Sequence, residues 1–151
     1  VLLYPPYYSM CVENGWQFSK VYAEHWDAAH QQPTEAWGCW ARAGWASRRA
    51  RRYPMGKGVE PICSWWRGCK LGYIDARKEI FLPLYVACTI LRDSYRKLQD
   101  MRAAGKHLVL WDFDGYDHRK LGMTYNDVLH DEGRIMGHAF ILAMLLEGAI
   151  T

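Results

Sequence analysis

Three groups of side chains have the types and spacing to do chemistry. The first follows an apolar run, Leu108 to Trp111, that delivers Asp112 and Asp114 just before Gly115, with Tyr116, Asp117 and His118 beyond. Two carboxylates at such an end, near a further carboxylate and an imidazole, suit proton transfer or Mg²⁺ binding. The plainer alternative is a turn whose Asp side chains accept backbone N–H groups. The second group spans Arg42 to Lys70. It holds Arg42, Arg48, Arg49, Arg51, Arg52 and Arg67 with Lys57 and Lys70, interleaved with Trp45, Tyr53, Trp65 and Trp66. Glu60 is the only acidic residue there. Guanidinium groups hold phosphates bidentately and aromatic faces stack on bases, so this window points to a nucleotide or nucleic-acid phosphate. Gly56-Lys57-Gly58 is too short to be a Walker motif. The third group is Glu24-His25-Trp26, in which a half-buried Glu would serve as a general acid or base. Glu35 is a competing carboxylate.

The elements that must position these groups differ between the two halves. Residues 1–72 are rich in Trp, Tyr, Gly and Pro with weak periodicity, while 73–151 carry clear helical patterns. Between Asp75 and Arg102, apolar residues recur at Phe81, Leu84, Cys88, Leu91, Tyr95 and Leu98, one face of a helix. Pro83 should kink it or begin a new one, and Gly105 should stop it. His107 to Trp111 reads as a buried strand. Thr124 with Asp127 predicts a capped short helix through Leu129. A last helix is expected over Glu132 to Glu147, apolar almost all round and therefore at the centre of the core. The expected architecture is helix-rich α+β: a single compact domain over 1–151, with few short strands around a buried C-terminal helix.

Composition narrows the classes further. Half of the residues are hydrophobic and 23% are charged, which excludes a disordered tail, a coiled coil and a collagen-like chain. Lys and Arg exceed Asp and Glu by only three, so the chain is not histone-like. Eight Trp are several times the usual share, and the sequence does not say whether they form a core or line a site. Five Cys, with no CxxC pair and no secretory signal, suggest reduced thiols in a cytoplasmic protein. A zinc site built from Cys63 and Cys69 has no common ligand spacing. The longest apolar run, Ala139 to Leu146, is far short of the roughly 20 residues of a membrane span, so no membrane partner is expected.

Taken in order, the segments resemble the YbiA-like, or NADAR, superfamily. Glu24-His25-Trp26 resembles its Glu-His-aromatic box, Arg48 to Lys57 stands where its basic stretch lies, Trp111 to Gly115 resembles its Trp/Asp/Gly turn, and Ile135-Met136-Gly137 resembles the end of its last box. Pro33 and Thr34 precede Glu35, so the family glutamate falls on Glu24 or Glu35. The resemblance implies an N-glycosidase acting on a phosphorylated nucleoside or ADP-ribosyl ligand, with no metal or redox cofactor required. Glu24 or Glu35, with Asp112 or Asp114, would supply the carboxylates. Arg48, Arg51, Arg52 and Lys57 would hold phosphates, and Trp65 or Trp66 would stack on the base. Tyr116, Asp117, His118, Gly137 and His138 would complete the substrate site. The alternatives are a non-catalytic nucleotide or nucleic-acid binding module, Mg²⁺-dependent phosphate-ester chemistry at Asp112 and Asp114, and a protein-interaction domain with an exposed Trp patch.

Overall fold

The computed structural model describes residues Val1–Thr151, which form two compact units, Val1–Leu84 and Tyr85–Thr151. The division falls later than the change of composition near Gly72. The secondary structure is α+β and helix-rich, and every strand belongs to the first unit.

The first unit opens with β1 (Leu2–Tyr4) and β2 (Tyr7–Tyr8), an antiparallel pair, followed by α1 (Val12–Gln17). Next come β3 (Lys20–Val21), a 3₁₀ turn at Ala23–His25, and a small antiparallel pair of β4 (Trp26–Asp27) with β5 (Gln32–Pro33). Helix α2 (Glu35–Ala46) starts at Thr34, whose hydroxyl accepts the Trp37 N–H at 3.3 Å. Strands β6 (Cys63–Trp66) and β7 (Cys69–Leu71) form a hairpin, and β3 joins it to give the order β3-β6-β7, antiparallel throughout. Arg67 and Gly68, both at positive φ, make the hairpin turn.

Half of the eight tryptophans are core. Trp16, Trp37, Trp45 and Trp66 are buried, while Trp26, Trp40 and Trp65 are half-buried. Tyr4 stands edge-on to Trp66 at 4.7 Å, and Phe18 lies on Trp40 at 4.6 Å. Aromatic rings cover much area for few residues, so they can build a core from strands of only two to four residues. Close packing then fixes one glycine. A Cβ at Gly44, in the last turn of α2, would collide with the Phe18 ring.

A continuous helical path follows: α3 (Tyr73–Ala76), a π turn at Arg77–Phe81 and α4 (Leu82–Thr89), which crosses the boundary between the units. Pro83 does not end this helix. It has no N–H to give the carbonyl four residues back, and the wide π turn just before it accommodates the ring. The helix ends instead after Thr89. Arg92 is extended there (φ −88°, ψ 136°), and its Nε donates to the Cys88 carbonyl at 3.2 Å. Leu91, expected on the buried face, is therefore exposed.

Helix α5 (Asp93–Ala103) stops where Gly105 predicts. Gly105 N–H donates to Arg102 O and Lys106 N–H to Met101 O, at 2.9 and 3.1 Å, with Gly105 at φ +75°. This is the paired arrangement that satisfies the last carbonyls of a helix. The predicted strand at His107–Trp111 does not form. The segment has no ladder partner, and Val109 and Trp111 are exposed rather than buried. Helix α6 (Tyr125–His130) carries the predicted cap: Thr124 Oγ1 accepts the Asp127 N–H at 3.2 Å, and Asp127 Oδ2 accepts the Thr124 N–H at 2.7 Å. The last helix, α7 (His138–Leu146), begins at His138 rather than Glu132. Asp131 takes the intervening residues into a turn, accepting Gly133 N–H at 2.8 Å and pairing with Arg134 at 2.7 Å, and such local bonds compete with helix. Phe140, Ile141, Met144 and Leu145 of α7 are buried.

The α6 cap gives a first prediction. Thr124→Ala should cost about 1 kcal/mol, or roughly 2–4 °C in melting temperature. Bonds from the Thr124 hydroxyl and N–H hold the Asp127 carboxyl below its ordinary value. Its contribution is thus complete above the unfolded pKa of about 3.9 and is lost as pH falls through the lower folded value. An unchanged melting temperature in Thr124→Ala at neutral pH would show that the cap does not support the fold.

Candidate functional site

A cleft of about 630 Å³ lies in the second unit, lined by 106–112, 115–119 and one side of α7, together with Arg102 of α5, Tyr125 of α6 and Glu147. The local folding explains its shape. Gly105 reverses the chain out of α5, and beyond it side chains from Leu108 to His118 alternate between half-buried and exposed. The even-numbered members, Leu108, Leu110, Asp112, Asp114, Tyr116 and His118, are the half-buried ones. Asp112 O accepts the Gly115 N–H at 3.1 Å and closes a turn.

Asp112 is the junction of this site. Its Oδ2 accepts the Ala139 N–H at 3.0 Å, the second residue of α7, and so caps that helix from 27 positions away in sequence. The helix end favours a negative group there. Gly137 makes the approach possible, because a Cβ at that position would collide with the Asp112 carboxylate and crowd Asp114 Cβ at 3.3 Å. The Asp112 side chain thus bonds a backbone N–H of a distant helix rather than of its own turn, and it lines the cleft.

The aromatic wall is built on Phe140. Tyr116 packs against it at 4.7 Å and His118 stands edge-on at 5.7 Å, while His118 also stacks on Tyr125 at 4.8 Å. Arg119 Nη2 binds both oxygens of Glu147, at 2.7 and 2.8 Å. Burial, reinforced by the Glu147 charge and its hydrogen bond, raises the Tyr125 hydroxyl above the ordinary phenol range. The Arg119 guanidinium is held still more firmly charged by Glu147. Asp117 Oδ1 accepts the Lys120 N–H at 3.2 Å, which with the Lys120 ammonium keeps its carboxyl low. Beside the cleft, the His138 ring stacks on Tyr85 at 4.9 Å. Burial and the Asp112 charge push the Tyr85 hydroxyl up, against a bond with Thr89.

Seven sequence-predicted site residues are thus near neighbours in the second unit. Asp112, Tyr116, Asp117 and His118 line the cleft, and Asp114, Gly137 and His138 gather at the start of α7. Sequence reasoning missed Arg102, Lys106, His107, Tyr125 and Glu147. The capping box before Tyr125 was a usable signal for that residue. Nothing local marks Arg119 and Glu147 as partners.

The remaining predicted residues belong to the first unit. Glu24 is exposed, with Oε1 3.7 Å from His25 Nε2. Glu35 is exposed at the start of α2. The two glutamates flank one hydrogen bond, from Thr34 N–H to His25 O at 2.8 Å, so the two candidate positions stand at the same end of the β4–β5 pair. His25 Nδ1 is buried without a hydrogen-bond partner. Arg48, Arg51, Arg52 and Lys57 are exposed on a loop without helix or strand. Trp65 is half-buried, 6.3 Å from Trp26, and keeps ring surface to offer. Trp66, by contrast, is only 4% exposed and packed on Tyr4, so its face is already occupied by the core.

All five thiols are unpaired. Cys63 is buried, which raises its thiol pKa, whereas Cys69 is exposed. No group of three or more His, Cys, Asp and Glu side chains is arranged to hold a metal ion. No helix is long and apolar enough to cross a membrane. Set beside known proteins, the chain matches no family model, no curated protein and no solved structure.

Proposed function

We propose that the cleft of the second unit binds a phosphorylated nucleoside or ADP-ribosyl group, and that Asp112 assists hydrolysis of its N-glycosidic bond. One observation carries this reading: Asp112 stands in a cleft with an aromatic wall, lined also by the cations of Arg102 and Lys106. Rings accept a base by stacking, and cations accept phosphate. Breaking the ribosyl C–N bond builds positive charge on the sugar, which a fixed carboxylate stabilises. Oδ2 of Asp112 is committed to α7, which orients the group and leaves the other oxygen for water. Asp112 takes a proton from the attacking water, the water oxygen bonds to the anomeric carbon, and the C–N electron pair leaves with the base. The departing nitrogen gains a proton from His118, an imidazole that lines the cleft beside Tyr116 and Phe140. The unpaired thiols favour a reducing, cytoplasmic setting for this activity.

The test is a thermal-shift panel of ADP-ribose, NAD and mononucleotides, each with and without Mg²⁺. A ligand at about 100 times its dissociation constant adds about 2.7 kcal/mol, which for a chain of this size raises the melting temperature by roughly 5 °C or more. We expect such a shift with ADP-ribose or a mononucleotide and no dependence on Mg²⁺. A shift that appears only with Mg²⁺, or no shift with any member, overturns the proposal.

A further inference from the structure

The basic loop between α2 and β6 takes no part in the cleft and calls for its own account. Arg48, Arg49, Arg51, Arg52 and Lys57 are all exposed there. Arg48, Arg49, Arg51 and Lys57 form no ion pair. So many like charges in ten residues repel one another, and a loop with no other duty would relax by fraying. This one is held. Asn14 of α1, completely buried, donates from Nδ2 to Ser47 O at 3.0 Å and to Arg49 O at 2.9 Å, and its Oδ1 accepts the Arg51 N–H at 2.9 Å. The amide thus spends three hydrogen bonds on alternate residues of a surface loop. Ser47 adds a second hold, its Oγ donating to Arg49 O at 3.2 Å and accepting the Arg49 N–H at 3.3 Å. Farther along, Gly56 and Gly58 sit at φ +105° and +86°, and Gly56 N–H closes a turn onto Tyr53 O at 3.1 Å. That turn keeps the Tyr53 ring 49% exposed, with the Arg52 guanidinium 5.6 Å above it.

Exposed cations on a backbone anchored at 47–51, four of them outside any ion pair, fit a polyanion whose charges repeat along a chain. An exposed ring beside them adds a stacking platform, which a phosphopeptide or a lipid headgroup would not use. The loop contains no helix to enter a duplex groove. We infer that this Asn14-held loop is a binding surface for single-stranded nucleic acid, its cations on successive phosphates and Tyr53 on a base. It does not rest on the cleft proposal.

Fluorescence anisotropy of a labelled single-stranded oligonucleotide tests it, with salt varied from 50 to 200 mM. Engaging about four phosphates predicts a log–log salt slope near −3, a loss of about 50-fold over that range. The triple variant Arg48→Gln/Arg51→Gln/Lys57→Gln should bring the slope to about −1. These are exposed positions, so the fold is kept. Tyr53→Ala should weaken binding about fivefold or more while leaving the slope alone. Absence of binding at 50 mM salt overturns the inference, as does a slope unchanged in the triple variant. A duplex or anionic vesicles binding as tightly as the single strand, with Tyr53→Ala silent, overturns the assignment to single strands.

Discussion

Gly44→Ala is expected to lower stability by about 3 kcal/mol, a fall in melting temperature of roughly 6 °C or more, although alanine is the better helix former. The Cβ would occupy the space of the Phe18 ring, and a ring is a rigid plate that cannot curl aside. Phe18 is itself pressed on Trp40 at 4.6 Å and is 5% exposed, so its displacement would disturb the aromatic core of the first unit. Gly38→Ala, in the same helix, is the control. There the new methyl meets only the end of the Arg42 side chain at 3.3 Å, which is free to swing away. It should gain up to about 1 kcal/mol from helix propensity. Thermal unfolding followed by Trp fluorescence measures both. If the two variants shift alike, close packing at Gly44 is not what selects glycine there.

Asp112→Asn is expected to reduce turnover of an ADP-ribosyl or nucleotide substrate by about 10²–10⁴-fold with little loss of stability. Asparagine keeps an oxygen to accept the Ala139 N–H, so the cap on α7 persists while the negative charge and the base are removed. Asp112→Ala removes the cap as well and should add about 1 kcal/mol of destabilisation. Gly137→Ala reaches the same result from the other side, since its methyl would displace the carboxylate. Glu24→Gln and Glu35→Gln should leave the rate within about twofold, because the walls of the cleft come from the second unit alone. The reverse pattern, with Glu24→Gln or Glu35→Gln inactive and Asp112→Asn active, would move the chemistry to the end of the β4–β5 pair where Glu24 and Glu35 stand.

What the sequence determined by itself was local. The Thr124–Asp127 box, the stop at Gly105 and the helix-rich α+β class depend on groups within a few residues of one another, so their spacing is written along the chain. The candidate residues from Asp112 to His118 were legible for the same reason, being one short run of chemically able side chains. Tertiary structure decided whatever depends on a distant partner. His107–Trp111 has the composition of a strand but finds no neighbour to complete its ladder, and composition cannot supply one. The start of α7 at His138 depends on Asp112, 27 residues earlier, as well as on the Asp131 turn before it. The roles of the tryptophans were likewise open until packing separated buried Trp66 from half-buried Trp65, adjacent residues on opposite faces of one strand. Asn14 shows the same limit, an ordinary helix residue in sequence that turns out to hold a loop more than thirty residues away. Local patterns survive in the sequence because their geometry follows from the backbone period. Long-range partners do not, because they are chosen only when the chain closes on itself and each buried polar group must find a bond.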